Sequence, residues 1–321
     1  MSFPATPLNR LAPPGQSSPI HALAFSSGSG QYLLTGSSDR KIRLYNPSTS
    51  RLVQTYSAHG YEVLDLAVSA DNARFVSVGG DKTVFVWDVA TAQTTRRFTG
   101  HSARVETCCF GGEGGEGSGE SVVVTGGLDG TVRVWDLRAK GREIVVLGEA
   151  RDAVTQVRVV KGEIWAGSVD GRVRVYDLAA GKVEVDCLGA SVTSLTPTQD
   201  GESYLVGTLE SKLRLMDRRG GKCLQTFEDQ GFKGETYRVR SCLAMADAVA
   251  VCGSEDGRVV VWDVLTGEAR ERVWHKEGGG EEVAGAGSKK DVVSAVAWNQ
   301  LRRQWASASG DGTVVVWGEQ G

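Results

Sequence analysis

Two stretches of this sequence carry the residue types of acyl-transfer chemistry. His59, Ser77, Asp81 and Trp87 form one set, and His101, Thr125, Asp129 and Trp135 another. In both, the hydroxyl residue lies four before the acid and the tryptophan six after it. A hydroxyl, an imidazole and a carboxylate are the parts of a nucleophile, its general base and the group that orients that base. The repetition argues for a different role. A catalytic constellation is needed once, at one cleft, whereas this one recurs along the chain. A buried chain of hydrogen bonds from indole to hydroxyl to imidazole to carboxylate fixes a turn instead. The later copies of the pattern lack a histidine at the matching place, so the fourth to seventh units are expected to have incomplete networks. No catalytic residue is expected.

Other chemistry finds little support. Gly112-Glu113-Gly114-Gly115-Glu116-Gly117 matches G-x-G-x-x-G by letters. It lacks the strand-turn-helix context of a dinucleotide site, and its glutamates would repel a pyrophosphate. The four histidines (His21, His59, His101, His275) are scattered, and the six cysteines contain no C-x-x-C pair. Neither shows zinc-like spacing. No cofactor and no metal are expected. The cysteines read as reduced and mostly buried in an intracellular protein. The N-terminal stretch has no signal-peptide pattern, and no run has the length of a membrane span. A formal charge of −3 argues against a dedicated nucleic-acid binder.

The elements that would position these residues emerge from self-similarity. An acid, a small or polar residue and an alternating apolar run ending in an aromatic recur at Asp39, Asp81, Asp129, Asp170, Asp256 and Asp311, with a degenerate copy at Glu210. The copies follow one another about every 40–45 residues, the period of four-stranded repeats. The longer intervals precede Asp129 and Asp311, where Gly/Glu-rich inserts at 111–121 and 276–291 lack apolar anchors and are expected to be mobile. Each unit shows an apolar stretch such as Val63–Val68, then a β-branched run such as Val122–Thr125. A Gly-x-Asp turn, the alternating strand and a fourth strand such as Arg51–Tyr56 follow. The composition suits many tight turns, with 42 glycines against 7 prolines. Four antiparallel strands repeated seven times predict an all-β, seven-bladed β-propeller. The expected organisation is a tail at 1–7, one propeller over 8–318 and a tail at 319–321. Leu8–Leu11 supplies the outer strand of the last blade, because the chain ends just after Trp317. Trp165 and Trp298 are expected in the core, and Trp274 beside the second insert is expected to be partly exposed.

These repeats resemble those of the WD-repeat family over essentially the whole chain. Within it, AHGYEVLD (Ala58–Asp65), GGDKTVFVWDVATAQ (Gly79–Gln93), GEARDAVTQV (Gly148–Val157), AGSVDGRVRVYD (Ala166–Asp177) and CGSEDGRVVVWD (Cys252–Asp263) resemble the mitogen-activated protein kinase organizer subfamily. The resemblance implies a non-catalytic scaffold for kinase-cascade components and/or a pre-mRNA splicing subunit, in cytoplasm and nucleus, as a monomeric propeller within larger complexes. The two Gly/Glu inserts depart from that pattern. In a propeller the loop before each first strand and the turn carrying the acid open on one face. The side chains left free there are Tyr61, Glu62, Arg104, Arg151, Asp152, Tyr237 and Arg238, which are expected to form a partner-binding face; Tyr and Arg are enriched at interface hot spots. An alternative function rests on Trp135-Asp136-Leu137-Arg138, which matches the W-D-x-R pattern of cullin-RING ubiquitin-ligase substrate receptors.

Overall fold

A computed structural model describes residues 2–12, 17–112, 120–139, 141, 143–276 and 289–319. Among them the chain forms twenty-eight strands and no helix, with the strands grouped in seven four-stranded antiparallel sheets. Each sheet is one blade. The innermost strands are β2 (Ile20–Phe25), β6 (Val63–Val68), β10 (Val105–Gly111), β14 (Val154–Val160), β18 (Val192–Pro197), β22 (Ser241–Ala244) and β26 (Val293–Asn299). Each packs against the innermost strand of the next blade, and β26 returns to β2, so the ring is closed. Loops into the innermost strands and turns between second and third strands share what we call the upper face. The remaining turns form the lower face.

Burial follows position within the blade. The third strand of blade 2, β8 (Thr83–Asp88), is buried at its first five residues, because neighbouring blades cover both its faces. Its sequence TVFVWD is accordingly β-branched and aromatic. The outer strand β9 (Thr94–Thr99) buries only Phe98 fully, and its other residues are threonine and arginine. Polar residues on these exposed edges discourage pairing with other chains. The cores lie between blades, as in the cluster joining Val84 and Phe98 of blade 2 to Cys108 and Trp135 of blade 3.

The last blade is built from both chain ends. Strand β1 (Thr6–Leu11) pairs with β28 (Val314–Gly318), Leu11 opposite Val314. The ordered body begins earlier than expected. Strand β1 starts at Thr6, and Phe3 is buried against Trp298 and Trp305, while the Trp305 indole N–H donates to the Pro4 carbonyl at 2.6 Å. Residues 3–7 are thus part of the packed blade and not a tail. Most of the two expected inserts (113–119 and 277–288) lies outside the described residues, but their bases are anchored. Glu120 accepts from the Ala70 N–H at 2.9 Å, and Lys276 pairs with Asp291 at 2.5 Å across the second.

Candidate functional site

The turn sets are assembled as donor chains. In blade 2 the Trp87 indole donates to Ser77 Oγ (2.8 Å). Ser77 Oγ lies 2.7 Å from His59 Nε2, and His59 Nδ1 lies 2.8 Å from Asp81 Oδ2. Asp81 also accepts from the Gly60 N–H at 3.0 Å, which ties the upper-face turn to the loop entering the blade. Blade 3 repeats this with Trp135, Thr125, His101 and Asp129. Placing the imidazole proton on Nδ1 satisfies every donor. Ser77 and Thr125 are fully buried, and an indole N–H already occupies each hydroxyl oxygen. No substrate carbonyl can reach them, so triad-like distances here hold turns.

The expectation that the seventh unit lacks its histidine is wrong. His275 enters from before the second insert, with Nδ1 2.8 Å from Ser307 Oγ and Nε2 2.9 Å from Thr313 Oγ1; Trp317 donates to the same Ser307 at 2.9 Å. Burial is the main cause that pushes the His275 pKa down to about 4, against the opposing field of Asp311. Blades 1, 4 and 5 solve the same problem without histidine. An arginine four residues after the acid folds back onto it: Arg43 on Asp39 (2.5 Å), Arg174 on Asp170 (2.7 Å) and Arg214 on Glu210 (2.7 Å). Each guanidinium also donates to a hydroxyl two before the acid, Ser37, Ser168 or Thr208. In blades 2 and 3, where the histidine pairs with the acid itself, that position is glycine. A Cβ on Gly127 would stand 2.7 Å from His101 Nδ1, and one on Gly79 would overlap the Glu62 carbonyl oxygen. In blade 6, Glu255 accepts the backbone N–H groups of Glu235, Thr236 and Tyr237 at 2.8, 2.6 and 2.6 Å. Cys252 stands where the hydroxyl belongs, and the Trp262 indole N–H has no hydrogen-bond partner among the described residues.

Six innermost strands share a second device. The register slips after the first residue of β2, β6, β10, β14, β18 and β26. A bulge takes its extra residue out of the ladder and re-aims it. The bulged residues here are His21, Leu64, Glu106, Thr155, Thr193 and Ser294, and His21, Leu64, Glu106 and Ser294 line a cavity of about 250 Å³ at the upper mouth of the channel. Blade 6 has no such slip. From its entrance, two arginines reach across the ring instead. Arg240 pairs with Asp65 and donates to the Leu64 carbonyl (3.0 Å). Arg238 donates to the Thr193 carbonyl (3.2 Å) and the Thr155 carbonyl, and pairs with Glu106 (3.1 Å). Bulge carbonyls of blades 2, 4 and 5 therefore find their donors on blade 6. Burial, then the neighbouring Arg240, pushes the Arg238 pKa down to about 10. Asp65 is buried, which opposes its ionisation, yet Arg240 and Arg158 hold its carboxyl below the usual range.

The expected partner-face residues separate into two groups. Glu62, Arg104, Tyr237 and Arg238 line the mouth cavity. Tyr61 is 66% exposed, and Arg151 and Asp152 are exposed in the loop entering blade 4; none of these three borders the cavity. Arg238 is not free at the rim. Its guanidinium turns into the channel and is held by groups on blades 3, 4 and 5. Arg240, which sequence reasoning missed, belongs with it. On the lower face, Arg138 is highly exposed and folds back on Asp136 through two bonds of 3.0 and 2.9 Å. Trp165 is fully buried, Trp298 packs against Phe3, and Trp274 is 38% exposed beneath the Arg258 guanidinium. Among the described residues, no three His, Cys, Asp or Glu side chains gather as metal ligands would.

Comparison with known proteins agrees with this architecture. The family profile described as WD domain, G-beta repeat matches residues 6–46, 50–88, 92–136, 221–263 and 283–318. The chain is 42% identical to WD repeat domain-containing protein 83 of Homo sapiens over 238 residues, 74% of this chain and 73% of that protein. It is 23% identical to the WD repeat domain-containing protein 83 homolog of Dictyostelium discoideum over 318 residues, 90% of this chain and 91% of that one. It is also 24% identical to Autophagy-related protein 16 of Arabidopsis thaliana, with 98% of this chain matching 58% of that protein.

Proposed function

This chain belongs to the WD-repeat family, and from that premise we propose that it is a non-catalytic scaffold whose upper face docks other proteins. The observation that carries this reading is a division of labour on that face. Buried networks fix the turns, which leaves Tyr61, Arg104 and Arg151 exposed on a rigid frame. Rigid presentation of tyrosine and arginine lowers the ordering cost of a protein contact. The resemblance to the mitogen-activated protein kinase organizer subfamily supplies the kind of partner: kinase-cascade components, splicing factors or both, met in cytoplasm and nucleus.

Quantitative affinity purification of the tagged chain from separate nuclear and cytoplasmic extracts tests the reading. Recovery of splicing proteins from the nuclear extract, or of kinase-cascade proteins from the cytoplasmic one, supports it and says which role dominates. A ubiquitin-ligase adaptor recovered above both, and lost with Arg138→Ala, would replace it with substrate reception through the lower face.

A further inference from the structure

We infer that the channel mouth receives an acidic side chain from an extended segment of a partner protein. This deepens the reading of the upper face as a docking surface and rests on it. The cavity is lined by four cationic side chains, Arg104, Arg238, Arg240 and Lys289, against the two carboxylates Glu62 and Glu106. Just below, Arg158 and Asp65 extend the same field. The buried carboxylates are already engaged. Glu106 pairs with Arg104 at 2.5 Å and with Arg238, and Asp65 pairs with Arg240. Among the described residues, the Glu62 carboxylate meets only the His21 ring, at 3.9 Å. Burial holds that imidazole below its ordinary pKa, so it is neutral at pH 7 and adds no positive charge. Lys289 is exposed and makes no ion pair among the described residues.

The lining therefore carries an excess of positive charge, four cations against two carboxylates, over a floor whose donors are committed. A basic guest would meet Arg104 and Lys289 as like charges, and an apolar one would strip water from them with no return. A carboxylate gains an ion pair at the rim. The volume, about 250 Å³, is below the roughly 300–1,000 Å³ of pockets that take drug-sized ligands and suits one or two side chains. The 66% exposed Tyr61 offers aromatic surface on the same upper face for the flanking residues.

The test is selection of a random peptide library displayed on phage against the immobilised full chain, followed by fluorescence-polarisation titration of the best peptide. The selected sequences should share an aspartate or glutamate. Lys289→Glu should weaken the best peptide about tenfold and Glu62→Gln should tighten it about threefold, with unchanged melting temperatures. The opposite signs cannot both come from a damaged fold. An absence of selected peptides, selected peptides without a shared acid, or a titration indifferent to Lys289→Glu would each overturn the inference. So would oligouridylate RNA that binds more tightly than any peptide and is lost in the Lys289→Glu variant. Protein partners recovered from extracts alongside any of these results would leave the scaffold reading standing and remove only this one.

Discussion

Two residues in the turn networks have measurable consequences. Trp262 buries an indole N–H that finds no partner among the described residues, because Cys252 occupies the place that Ser77, Thr125 and Ser307 fill in blades 2, 3 and 7. Cys252→Ser supplies an acceptor in a fully buried site, where satisfying a polar group is worth about 1 kcal/mol. The melting temperature should rise by about 2 °C; a fall would mean that Cys252 is held for its packing. His275 gives a pH signature. Its folded pKa, about 4, lies below the ordinary 6.5, so between those values the unfolded chain binds the proton and the folded chain does not. Stability is full above pH 6.5 and is lost as pH falls toward 4, by on the order of 3 kcal/mol. Denaturant titrations across that window should show the slope in the wild type and a much flatter one in His275→Gln. A wild-type protein equally stable at pH 6.5 and 4.5 would contradict the assignment. The histidine was visible in the sequence, but its partner lies beyond the second insert, and spacing alone hid the match.

At the scale of elements, the bulged innermost strands and the two arginines of blade 6 form one unit. The four-residue β22 lacks the slip found in the other six innermost strands, and its entrance sends Arg238 and Arg240 to satisfy carbonyls on other blades. Arg240→Ala leaves Asp65 ionised and buried without its cation, a change that costs about 3–5 kcal/mol. The paired change with Asp65→Asn should recover much of that loss, because it removes the charge as well; a double variant no more stable than Arg240→Ala would show that packing is what matters. The strands and their order were readable from alternation and turn residues. The ties across the channel were not, since no local pattern announces contacts such as that between Arg240 and Asp65. Another signal was present and unused. Wherever the acid's turn holds Ser or Thr two residues before and Arg four after, as at Asp39, Asp170 and Glu210, the arginine replaces the histidine.

For the whole molecule, closure of the ring decides whether seven blades behave as one body. Both chain ends supply the last blade, and Phe3 wedges between Trp298 and Trp305 beside the Trp305–Trp317 stack. Phe3→Ala should cost about 3 kcal/mol and lower the melting temperature by about 6 °C in a calorimetric scan; no shift would mean that closure relies on the β1–β28 ladder alone. Closure by an N-terminal strand was read from the sequence, and β1 pairs with β28. The wedge was not, because one phenylalanine before a strand carries no periodic signal. The face that partners use is likewise a property of the assembled ring. Crosslinking mass spectrometry of the tagged chain with its co-purified proteins tests it directly, because exposed lysines mark both faces. Partner crosslinks are expected at Lys82, Lys233 and Lys289, in the upper turns and loops. Crosslinks confined to Lys161, Lys182 and Lys222, in the lower turns, would contradict it.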